Sequence, residues 1–371
     1  MTADDLHRPV AEGRRFRVGI VGTGSISGAY GAHIAANPAL EIVAATDLDP
    51  ARAAAFASEH GGRAVATLDA LLAEDIDVVI NLTVQAEHYR VTKAALEAGR
   101  HVHVEKPLAL HSSEAWELVE LARSRGLRLS CSPFTLLGEA QQTAWRLIRD
   151  GRIGQVRLVY AQVDWGRIES WHPAPRPFYE VGPLSDVGVY PLAIVTALLG
   201  PVARVYAVGR TLLAERTSVD GSRFTVNGPD TWLVTFELQD GTLFRLAASF
   251  YTGQQAKGNA SIAFHGDTGD VWLGHSVLFD TPVEIAAFGN DEPHETVPPI
   301  RPDAPAFDWS RGVEELAEAI AEGRPHRASA EQAAHLVDVF EAVAASAARD
   351  GAGVQVTSSF AAPAPMLWAE G

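Results

Sequence analysis

Short apolar runs alternate with helix-like segments over the first third of the chain. Five such runs lie between Phe16 and about Ser132, namely "FRVGIVG", "LEIVAATD", "DVVINLT", "HVHVEK" and "LRLSCSP". Continuous apolar strands separated by helices are typical of a parallel sheet that is covered on both faces. The pattern therefore predicts a doubly wound α/β domain over residues 15–133, with residues 1–14 as a flexible N-terminal arm.

The pattern changes after Pro133. A helical segment, "EAQQTAWRLIRDG", leads into a long alternating strand, "GQVRLVYAQVDW". Farther along, "TWLVTFELQDGTLFRLAASF" is typical of two strands joined by a turn at Asp240 and Gly241. Because long alternating strands joined by hairpins indicate an antiparallel sheet, residues 134–360 are predicted to form an α+β domain.

The end of the chain carries one clear helix signal. Ser329 and Gln332 fit a helix capping box, and the segment that follows places apolar residues on one face from Ala333 to Val343. We expect this helix to pack on a sheet. The last residues, 361–371, are predicted to be a loose tail.

The composition is that of a globular protein. With 371 residues, 47% of them hydrophobic, the chain is long enough for two cores. A formal net charge of −16 without a compensating basic run argues against a nucleic-acid partner. The single Cys131 lies in a predicted strand, so we expect a buried, unreactive thiol. No apolar run approaches ~18 residues and no secretory signal pattern is present, which favours a cytoplasmic protein without membrane contact.

A glycine-containing turn, in "VGIVGTGSISGAY", lies where the first strand ends and the first helix begins. Such a turn lets a nucleotide pyrophosphate approach the backbone N–H groups at the helix N-terminus. We therefore expect a dinucleotide to contact Gly22, Gly24, Ser25 and Ile26. The third fingerprint position holds Ser27 in place of glycine, and similar turns occur in sheets that bind no nucleotide.

Asp47 ends the second predicted strand, 25 residues beyond Gly22. An acid at this position accepts hydrogen bonds from an adenosine ribose. The alternative is a solvated strand-end residue or the N-cap of the next helix, but Asp49, directly before Pro50, is the better N-cap candidate. Because a carboxylate repels a 2′-phosphate, we expect NAD as the cofactor in preference to NADP.

The segment "HVHVEKPLAL" ends a strand on Glu105, Lys106 and Pro107. Ligands bind at the carboxyl ends of the strands in an open parallel sheet, and proline keeps the residue before it extended. We therefore expect Lys106 to be aimed into a ligand site, with Glu105 either holding Lys106 or contacting the nicotinamide ribose. An exposed Glu-Lys pair before a loop proline is the alternative.

Four segments together resemble the Gfo/Idh/MocA oxidoreductases, a family named for glucose–fructose oxidoreductase and inositol dehydrogenase. They are "VGIVGTGSISG", "AATDLDPARA", "NLTVQAEHYRVTKAALEAGRHVHVEKPLAL" and "GPLSDVGVYPL". The resemblance covers most of the chain, and its part "ALEAGRHVHVEKP" is highly specific. It implies a Rossmann domain and a C-terminal domain whose large open sheet usually forms a dimer interface. It also implies self-association as a dimer or tetramer, and hydride transfer between a nicotinamide and a sugar or polyol.

The same resemblance assigns the catalytic residues. Lys106 would contact both the substrate hydroxyl and the cofactor, while "SDVGVY" would supply Asp186 and Tyr190, which share one face if the segment is helical. The alternatives are a helix N-cap for Asp186 and an ordinary half-buried tyrosine for Tyr190. A phenol with a pKa near ~10 is a poor base at neutral pH unless a cation stabilises its phenolate, and we expect Lys106 to be that cation.

Two further residues match the family along the cofactor. These are Thr83 and His88, although Val84 stands where the family usually has proline. The alternative for His88 is a solvent-facing residue in the first turn of a helix. The chain also departs from the family at "SPFTLLGEAQQ", which lacks an Asn-x-Arg pattern, and at Trp171 and His172, where many members have Trp-Arg.

An aromatic loop, "WGRIESWHPAPRPFYEVG", follows the first strand of the second domain. Aromatic faces with interspersed hydrogen-bond donors suit a pyranose ring, so we expect Trp171 and His172 to bind the substrate. The alternative is a loop that its aromatic residues fix to the sheet, or a contact between subunits.

The sequence predicts no metal site, because its 13 histidines show no H-E-x-x-H spacing and no second cysteine is present. The residues and the resemblance together favour NAD(P)-dependent oxidation or reduction of a sugar, polyol or glycoside. Two alternatives stay open. One is an NAD-dependent glycosidase that oxidises its substrate transiently and cleaves it by elimination, and the other is a non-catalytic regulator that senses nucleotides on the same fold.

Overall fold

The structure, a computed structural model, describes residues 15–289 and 293–370. The expected N-terminal arm, residues 1–14, lies outside this part of the chain. The described residues fall into two compact units. The first runs to Phe134 and includes Asp308–Val337, and the second comprises Thr135–Phe307 and the residues from Asp338 onward.

A parallel sheet forms the centre of the first unit. Its strands are β1 (Phe16–Val21), β2 (Leu40–Thr46), β3 (Arg63–Ala64), β4 (Val78–Asn81), β5 (His101–Val104) and β6 (Leu129–Cys131). They connect through helices α1 (Ser27–Ala36), α2 (Pro50–His60), α3 (Leu68–Leu72), α4 (His88–Glu97) and α5 (Ser112–Ser124). The strand order is β3-β2-β1-β4-β5-β6 and every pair is parallel, which is the doubly wound Rossmann arrangement that the sequence predicts.

The five apolar runs correspond to β1, β2, β4, β5 and β6, and their burial explains why the sequence reveals them. In β1, Val18 and Ile20 have no exposed surface, and every residue of β4 is buried. Each fully buried valine or isoleucine contributes roughly 1.5–3 kcal/mol. The thiol of Cys131 is buried as expected, and this burial raises its pKa well above the usual value.

A large sheet dominates the second unit. Its strands are β7 (Val156–Asp164), β8 (Val202–Arg210), β11 (Thr231–Leu238), β12 (Leu243–Ser249), β13 (Ile262–Gly266), β14 (Gly269–Leu273), β15 (Val283–Ala287), β16 (Glu295–Val297) and β17 (Val354–Gln355). A separate hairpin pairs β9 (Glu215–Thr217) with β10 (Arg223–Thr225). The order in the large sheet is β16-β15-β14-β13-β7-β12-β11-β8-β17, and among these described strands the β7–β12 pair is parallel while the others are antiparallel.

The helices of the second unit include α6 (Glu139–Arg149), α7 (Arg176–Val181) and α8 (Val189–Leu199). The predicted hairpin joins β11 to β12, and its turn places Gly241 at a φ of +88°, which favours glycine. The predicted α+β class with a mostly antiparallel sheet is therefore confirmed.

A late segment of the chain completes the first unit. It contains α9 (Arg311–Glu322) and the beginning of α10 (Ala330–Ala347). The side chain of Ser329 accepts a hydrogen bond from the backbone N–H of Gln332 at 3.2 Å, as the capping signal predicts. In α10, Ala334 and Val337 join the hydrophobic core around β6. Periodicity thus predicts the helix and its apolar face. It does not predict which of the two sheets the helix packs against, because that depends on the return of the chain to the first unit after Phe307.

The end of the chain is packed, so the prediction of a loose tail is wrong. The backbone N–H of Met366 donates to Gln142 Oε1 at 2.9 Å, and Arg149 donates to the carbonyl of Ala369 at 2.7 Å. Ala369 has no exposed surface. Both partners lie on α6, far away in sequence, and the Pro- and Ala-rich composition of the tail gives no sign of them.

No helix in the described part of the chain has both the length and the apolar character needed to cross a membrane.

Candidate functional site

The glycine turn after β1 leaves room for a ligand at one of its two glycines. Gly22 has a φ of +90°, and a Cβ there would lie 2.8 Å from the backbone of Leu82, so only glycine fits. A Cβ at Gly24, by contrast, would meet nothing within 4 Å, and Gly24 is exposed. The backbone of this turn is therefore close to Leu82 at Gly22, and it has open space beside Gly24.

The N-terminus of α1 follows this turn directly. Ser27 is 3% exposed, and its hydroxyl donates to the carbonyl of Gly24 at 2.7 Å, which fixes the turn in place of a third glycine. Ser25 is exposed and Ile26 half-buried, and no side chain among the described residues caps the helix. Uncapped N–H groups at a helix start donate hydrogen bonds to anions, so the turn fits the pyrophosphate of a dinucleotide.

Asp47 carries a negative charge beside this turn. Its Oδ2 accepts from the backbone N–H of Thr23 at 2.7 Å and its Oδ1 from the N–H of Asp49 at 2.9 Å. Burial alone would raise the pKa of Asp47, but these backbone donors outweigh burial and lower it. Asp49 is the residue that caps α2, by accepting from the N–H of Ala51 at 2.9 Å. The N-cap alternative for Asp47 is therefore wrong.

His88 is buried, with 1% of its surface exposed, so the solvent-facing alternative is wrong. Its Nδ1 lies 2.6 Å from the carbonyl oxygen of Pro107, and its Nε2 lies 3.0 Å from that of Thr83. Burial lowers the pKa of His88. The ring thus ties the loop after β4 to the loop after β5. The hydroxyl of Thr83 donates to Asn81 Oδ1 at 2.7 Å, while Val84 is 71% exposed.

Glu105 and Lys106 follow β5, and hydrogen bonds within the protein fix the Glu105 carboxylate. Glu105 Oε1 accepts from the hydroxyls of Tyr30 at 2.6 Å and Ser132 at 3.0 Å, and its Oε2 accepts from the backbone N–H of Lys106 at 3.1 Å. Both residues are half-buried, and the peptide bond from Lys106 to Pro107 is cis. The first unit thus brings the expected site residues together where β1, β2, β4 and β5 end.

Sequence reasoning missed Tyr30 and Ser132. Both are buried polar residues, and they meet Glu105 from α1 and from the end of β6. Tyr30 stands 75 residues before Glu105, and no local pattern marks it as a partner.

Asp186 and Tyr190 lie on one continuous helical segment of the second unit. A π-helical turn, Leu184–Gly188, leads directly into α8, and both side chains are half-buried. The caps of these helical segments are Pro183 and Gly188, so the N-cap alternative for Asp186 is wrong. π-Helical turns within helices occur frequently at functional sites.

The residues of the aromatic loop pack against one another, and Trp171 remains partly exposed. Trp171 is 44% exposed and makes edge-on contacts with Trp165, His172 and Phe178 at ring-centre distances of 6.2, 5.5 and 6.3 Å. His172 also lies 4.8 Å from Phe178. The loop therefore combines features of both interpretations: its aromatic residues pack together, yet Trp171 stays partly exposed.

A buried ion network, which no local sequence pattern predicts, connects this loop to the sheet. The guanidinium of Arg216 has no exposed surface and bonds to Glu169 at 2.9 Å and to Asp230 at 2.5 Å. It also contacts the hydroxyl of Tyr179, which donates to Glu169. Because Glu169 belongs to the loop and Asp230 immediately precedes β11, the network fixes the loop to the sheet.

Within the described ranges, no group of three or more His, Cys, Asp or Glu side chains is arranged to hold a metal ion. The expected site residues divide between the two units. The glycine turn, Asp47 and Lys106 belong to the first, while Trp171 and Tyr190 belong to the second.

The strand order, the glycine turn and the ionised acid after β2 define a Rossmann protein of the dinucleotide-binding class. Residues 16–132 match the family described as "Oxidoreductase family, NAD-binding Rossmann fold", and residues 141–272 match the GFO/IDH/MocA C-terminal domain. Together the two matches cover more than half of the chain. The chain belongs to the Gfo/Idh/MocA oxidoreductase family, as its motifs led us to expect.

Several characterised proteins are similar to this chain. A dTDP-3,4-didehydro-2,6-dideoxy-alpha-D-glucose 3-reductase from Streptomyces antibioticus is 38% identical over 205 residues, which cover 54% of this chain and 62% of that protein. The chain thus spans about three fifths of the length of this relative.

Solved structures of the same fold include a dehydrogenase and a ketoreductase. Levoglucosan dehydrogenase in complex with NADH and levoglucosan gives a TM-score of 0.79 at 20% identity, over 93% of this chain and 100% of the other. A 3-ketoreductase from Actinomadura kijaniata, in complex with TDP-benzene and NADP, gives a TM-score of 0.70 at 24% identity, over 91% of this chain and 98% of the other. At this identity the matches show a shared fold.

Proposed function

We propose that this protein is an NAD(P)-dependent oxidoreductase that transfers hydride between the nicotinamide and a hydroxyl or carbonyl carbon of a sugar, polyol or glycoside. The observation that carries the proposal is the Glu105 carboxylate, which accepts from two hydroxyl groups and from the backbone N–H of Lys106 at the ligand-binding edge of a Rossmann sheet. Family membership and the sugar substrates in the names of its relatives support the same chemistry.

The favoured cofactor is NAD. The open space at Gly24 and the uncapped start of α1 accept the pyrophosphate, with Gly22, Ser25 and Ile26 forming the turn around it. Asp47 accepts hydrogen bonds from the adenosine ribose, and its charge repels a 2′-phosphate. Solved structures of the same fold contain NADH or NADP, so the fold itself does not decide between the two cofactors. We propose that the Asp47 carboxylate makes this choice.

Thr83, His88 and Glu105 form the part of the site that faces the nicotinamide end of the cofactor. His88 holds the loops that carry Thr83 and Pro107 in a fixed spacing through its two carbonyl contacts. Glu105 fixes the backbone of Lys106 through the 3.1 Å hydrogen bond from its N–H. These contacts thereby fix the backbone that carries Lys106.

When bound, the nicotinamide accepts or supplies the hydride. Lys106 donates from its ammonium group to the substrate oxygen and stabilises negative charge there. Tyr190 removes the hydroxyl proton during oxidation and returns it during reduction. Asp186, four residues earlier on the same helical segment, orients Tyr190.

Trp171 and His172 bind the substrate. The exposed indole face covers the apolar C–H face of a pyranose ring, and the His172 ring beside it offers a hydrogen-bond partner to a hydroxyl.

We also propose that the protein self-associates through the open face of its large sheet. Large apolar side chains remain more than one third exposed on neighbouring strands of this face, namely Tyr160, Tyr206, Val208, Leu233 and Leu243. Exposed apolar faces of this kind are typical of subunit contacts. Light scattering should give the mass of a dimer or tetramer for the wild type and a smaller mass for Leu233→Asp.

The activity is tested by incubating the protein with NAD and a panel of sugars, polyols and glycosides while recording the absorbance of NADH. Lys106→Met is expected to lower kcat by roughly 10²- to 10⁴-fold. Lys93→Met serves as the control, because Lys93 pairs with Glu117 on the surface of α4. An unchanged rate in Lys106→Met would show that the assignment is wrong.

The same assay separates the other two functions. Release of free sugar from a glycoside, with substoichiometric NAD and no net NADH, would identify a redox-assisted glycosidase. NAD binding in calorimetry without turnover of any sugar would identify a regulator.

A further inference from the structure

Tyr30 places a hydroxyl group inside the core of the first unit. The side chain lies on α1 with no exposed surface, and its ring packs against Trp309 and His103 at centre distances of 5.4 and 6.2 Å. A phenylalanine would fill the same space with apolar surface alone. The hydroxyl instead lies 2.6 Å from Glu105 Oε1, a distance typical of a hydroxyl that donates to a carboxylate.

Two hydroxyl groups donate to the same oxygen of Glu105. Tyr30 and Ser132 each direct a proton at Oε1. The 3.2 Å contact between their two hydroxyl oxygens then holds no proton.

His103 completes the cluster from the other side. Burial lowers its pKa to about 4, so the ring is neutral near pH 7. Its Nε2 lies 3.4 Å from both hydroxyl oxygens, and its Nδ1 lies 2.8 Å from the hydroxyl oxygen of Ser130.

We propose that Tyr30 and Ser132 are positioning residues for the reaction, which hold the Glu105 carboxylate in the orientation in which its second oxygen fixes the backbone of Lys106. The inference rests on the proposed function, because it assumes that Lys106 acts on the substrate. It adds two hydroxyl groups, from α1 and from the end of β6, to the set of residues that the reaction requires.

The physical reason is the proximity of two opposite charges on neighbouring residues. If Oε1 lost its donors, the Glu105 carboxylate would be free to rotate and to attract the Lys106 ammonium away from the substrate oxygen. The two donors work on one oxygen, so either of them alone preserves part of the orientation. Loss of both should therefore harm the reaction by more than the product of the two single effects.

The test uses Tyr30→Phe, Ser132→Ala and the double variant, each measured for kcat and for KM with NAD and with substrate. Each single change is expected to lower kcat by about 3- to 10-fold, and the double variant by more than 100-fold, with KM for NAD within about twofold of wild type. Tyr89→Phe is the matched control, because the Tyr89 hydroxyl on α4 donates to Glu117 on α5 at 2.8 Å in a solvent-exposed hydrogen bond. Its kcat should match the wild type.

The outcomes separate positioning from a purely structural role. Wild-type kcat in the double variant, or a double effect equal to the product of the singles, would overturn the proposal. Near-ultraviolet circular dichroism and NAD binding report whether the variants fold, and Ser132→Ala tests the same oxygen with the smaller change if Tyr30→Phe is unstable. Full activity in Lys106→Met contradicts the proposed function itself, whereas an inactive Lys106→Met together with a fully active double variant contradicts the positioning role alone.

Discussion

The carboxylate of Asp47 accepts a 2.7 Å hydrogen bond from the backbone N–H of Thr23, the residue between the two glycines of the first turn. The acid after β2 is thereby attached to the loop that would hold the pyrophosphate. Backbone donors lower the pKa of Asp47 despite its burial, so its charge is present throughout the neutral range.

Asp47 should determine which of the two nicotinamide cofactors is used. In Asp47→Asn, the amide oxygen still accepts from Thr23, but the negative charge that repels a 2′-phosphate is gone. We expect the ratio of kcat/KM for NAD to that for NADP to fall by roughly tenfold or more. Steady-state kinetics with both cofactors measures the ratio.

Asp69→Asn is the matched control, because it removes the same charge from an exposed position at the start of α3. A ratio that stays at the wild-type value in Asp47→Asn would show that another group selects the cofactor.

The sequence predicted the strands that are covered by helices on both faces. Such strands are continuous apolar runs, and this pattern is visible in the sequence. It missed β3, whose residues Arg63 and Ala64 are both exposed and give no hydrophobic signal. It also predicted the helix after Ser329, but not that this helix would join the core of the first unit, since periodicity describes a face and not its partner.

In the candidate site too, local motifs could be predicted from the sequence, whereas contacts between residues distant in sequence could not. Motif positions such as Gly22, Asp47 and Lys106 are local signals, and the structure places them along one sheet edge. The partners that hold them are not local. Tyr30 reaches Glu105 across 75 residues, and Arg216 reaches Glu169 across 47 residues from a polar segment with no apolar pattern.

Trp171 should contribute to the binding of the sugar and not to that of the cofactor. Its indole is 44% exposed above a cluster of aromatic rings. Removing the stacking surface in Trp171→Ala is expected to raise KM for the sugar roughly 5- to 10-fold, while KM for NAD stays unchanged. Trp171→Phe should recover most of the affinity.

Phe288→Ala is the control, since Phe288 is also an exposed aromatic residue of the second unit, with 79% of its surface accessible. If Trp171→Ala leaves KM for every substrate of the panel at the wild-type value, the indole has no part in sugar binding.

Arg216 should be essential for the stability of the second unit. Its replacement in Arg216→Met would leave the carboxylates of Glu169 and Asp230 buried without their counter-charge. The expected loss is roughly 3–5 kcal/mol in the free energy of unfolding. Urea unfolding followed by tryptophan fluorescence measures this loss.

A surface ion pair provides the comparison for this loss. Arg157 pairs with Asp267 while both side chains are about half exposed, and Arg157→Met should cost less than about 1 kcal/mol. Equal losses in the two variants would contradict the role of the buried network.

His103 should make the protein sensitive to acid. Burial lowers its pKa to about 4 in the folded protein, whereas an unfolded histidine has a pKa near 6.5. As the pH falls from about 6.5 to about 4, the unfolded chain binds a proton at this residue that the folded protein does not bind. Stability is therefore lost over this range, by up to roughly 3 kcal/mol for this one group.

In His103→Gln, the free energy of unfolding should be lower at neutral pH and should decline less steeply towards pH 4. His111→Gln, which changes an exposed residue before α5, should keep the wild-type slope. Urea unfolding at a series of pH values gives the slopes, and equal slopes for His103→Gln and the wild type would show that His103 does not remain neutral in the folded protein.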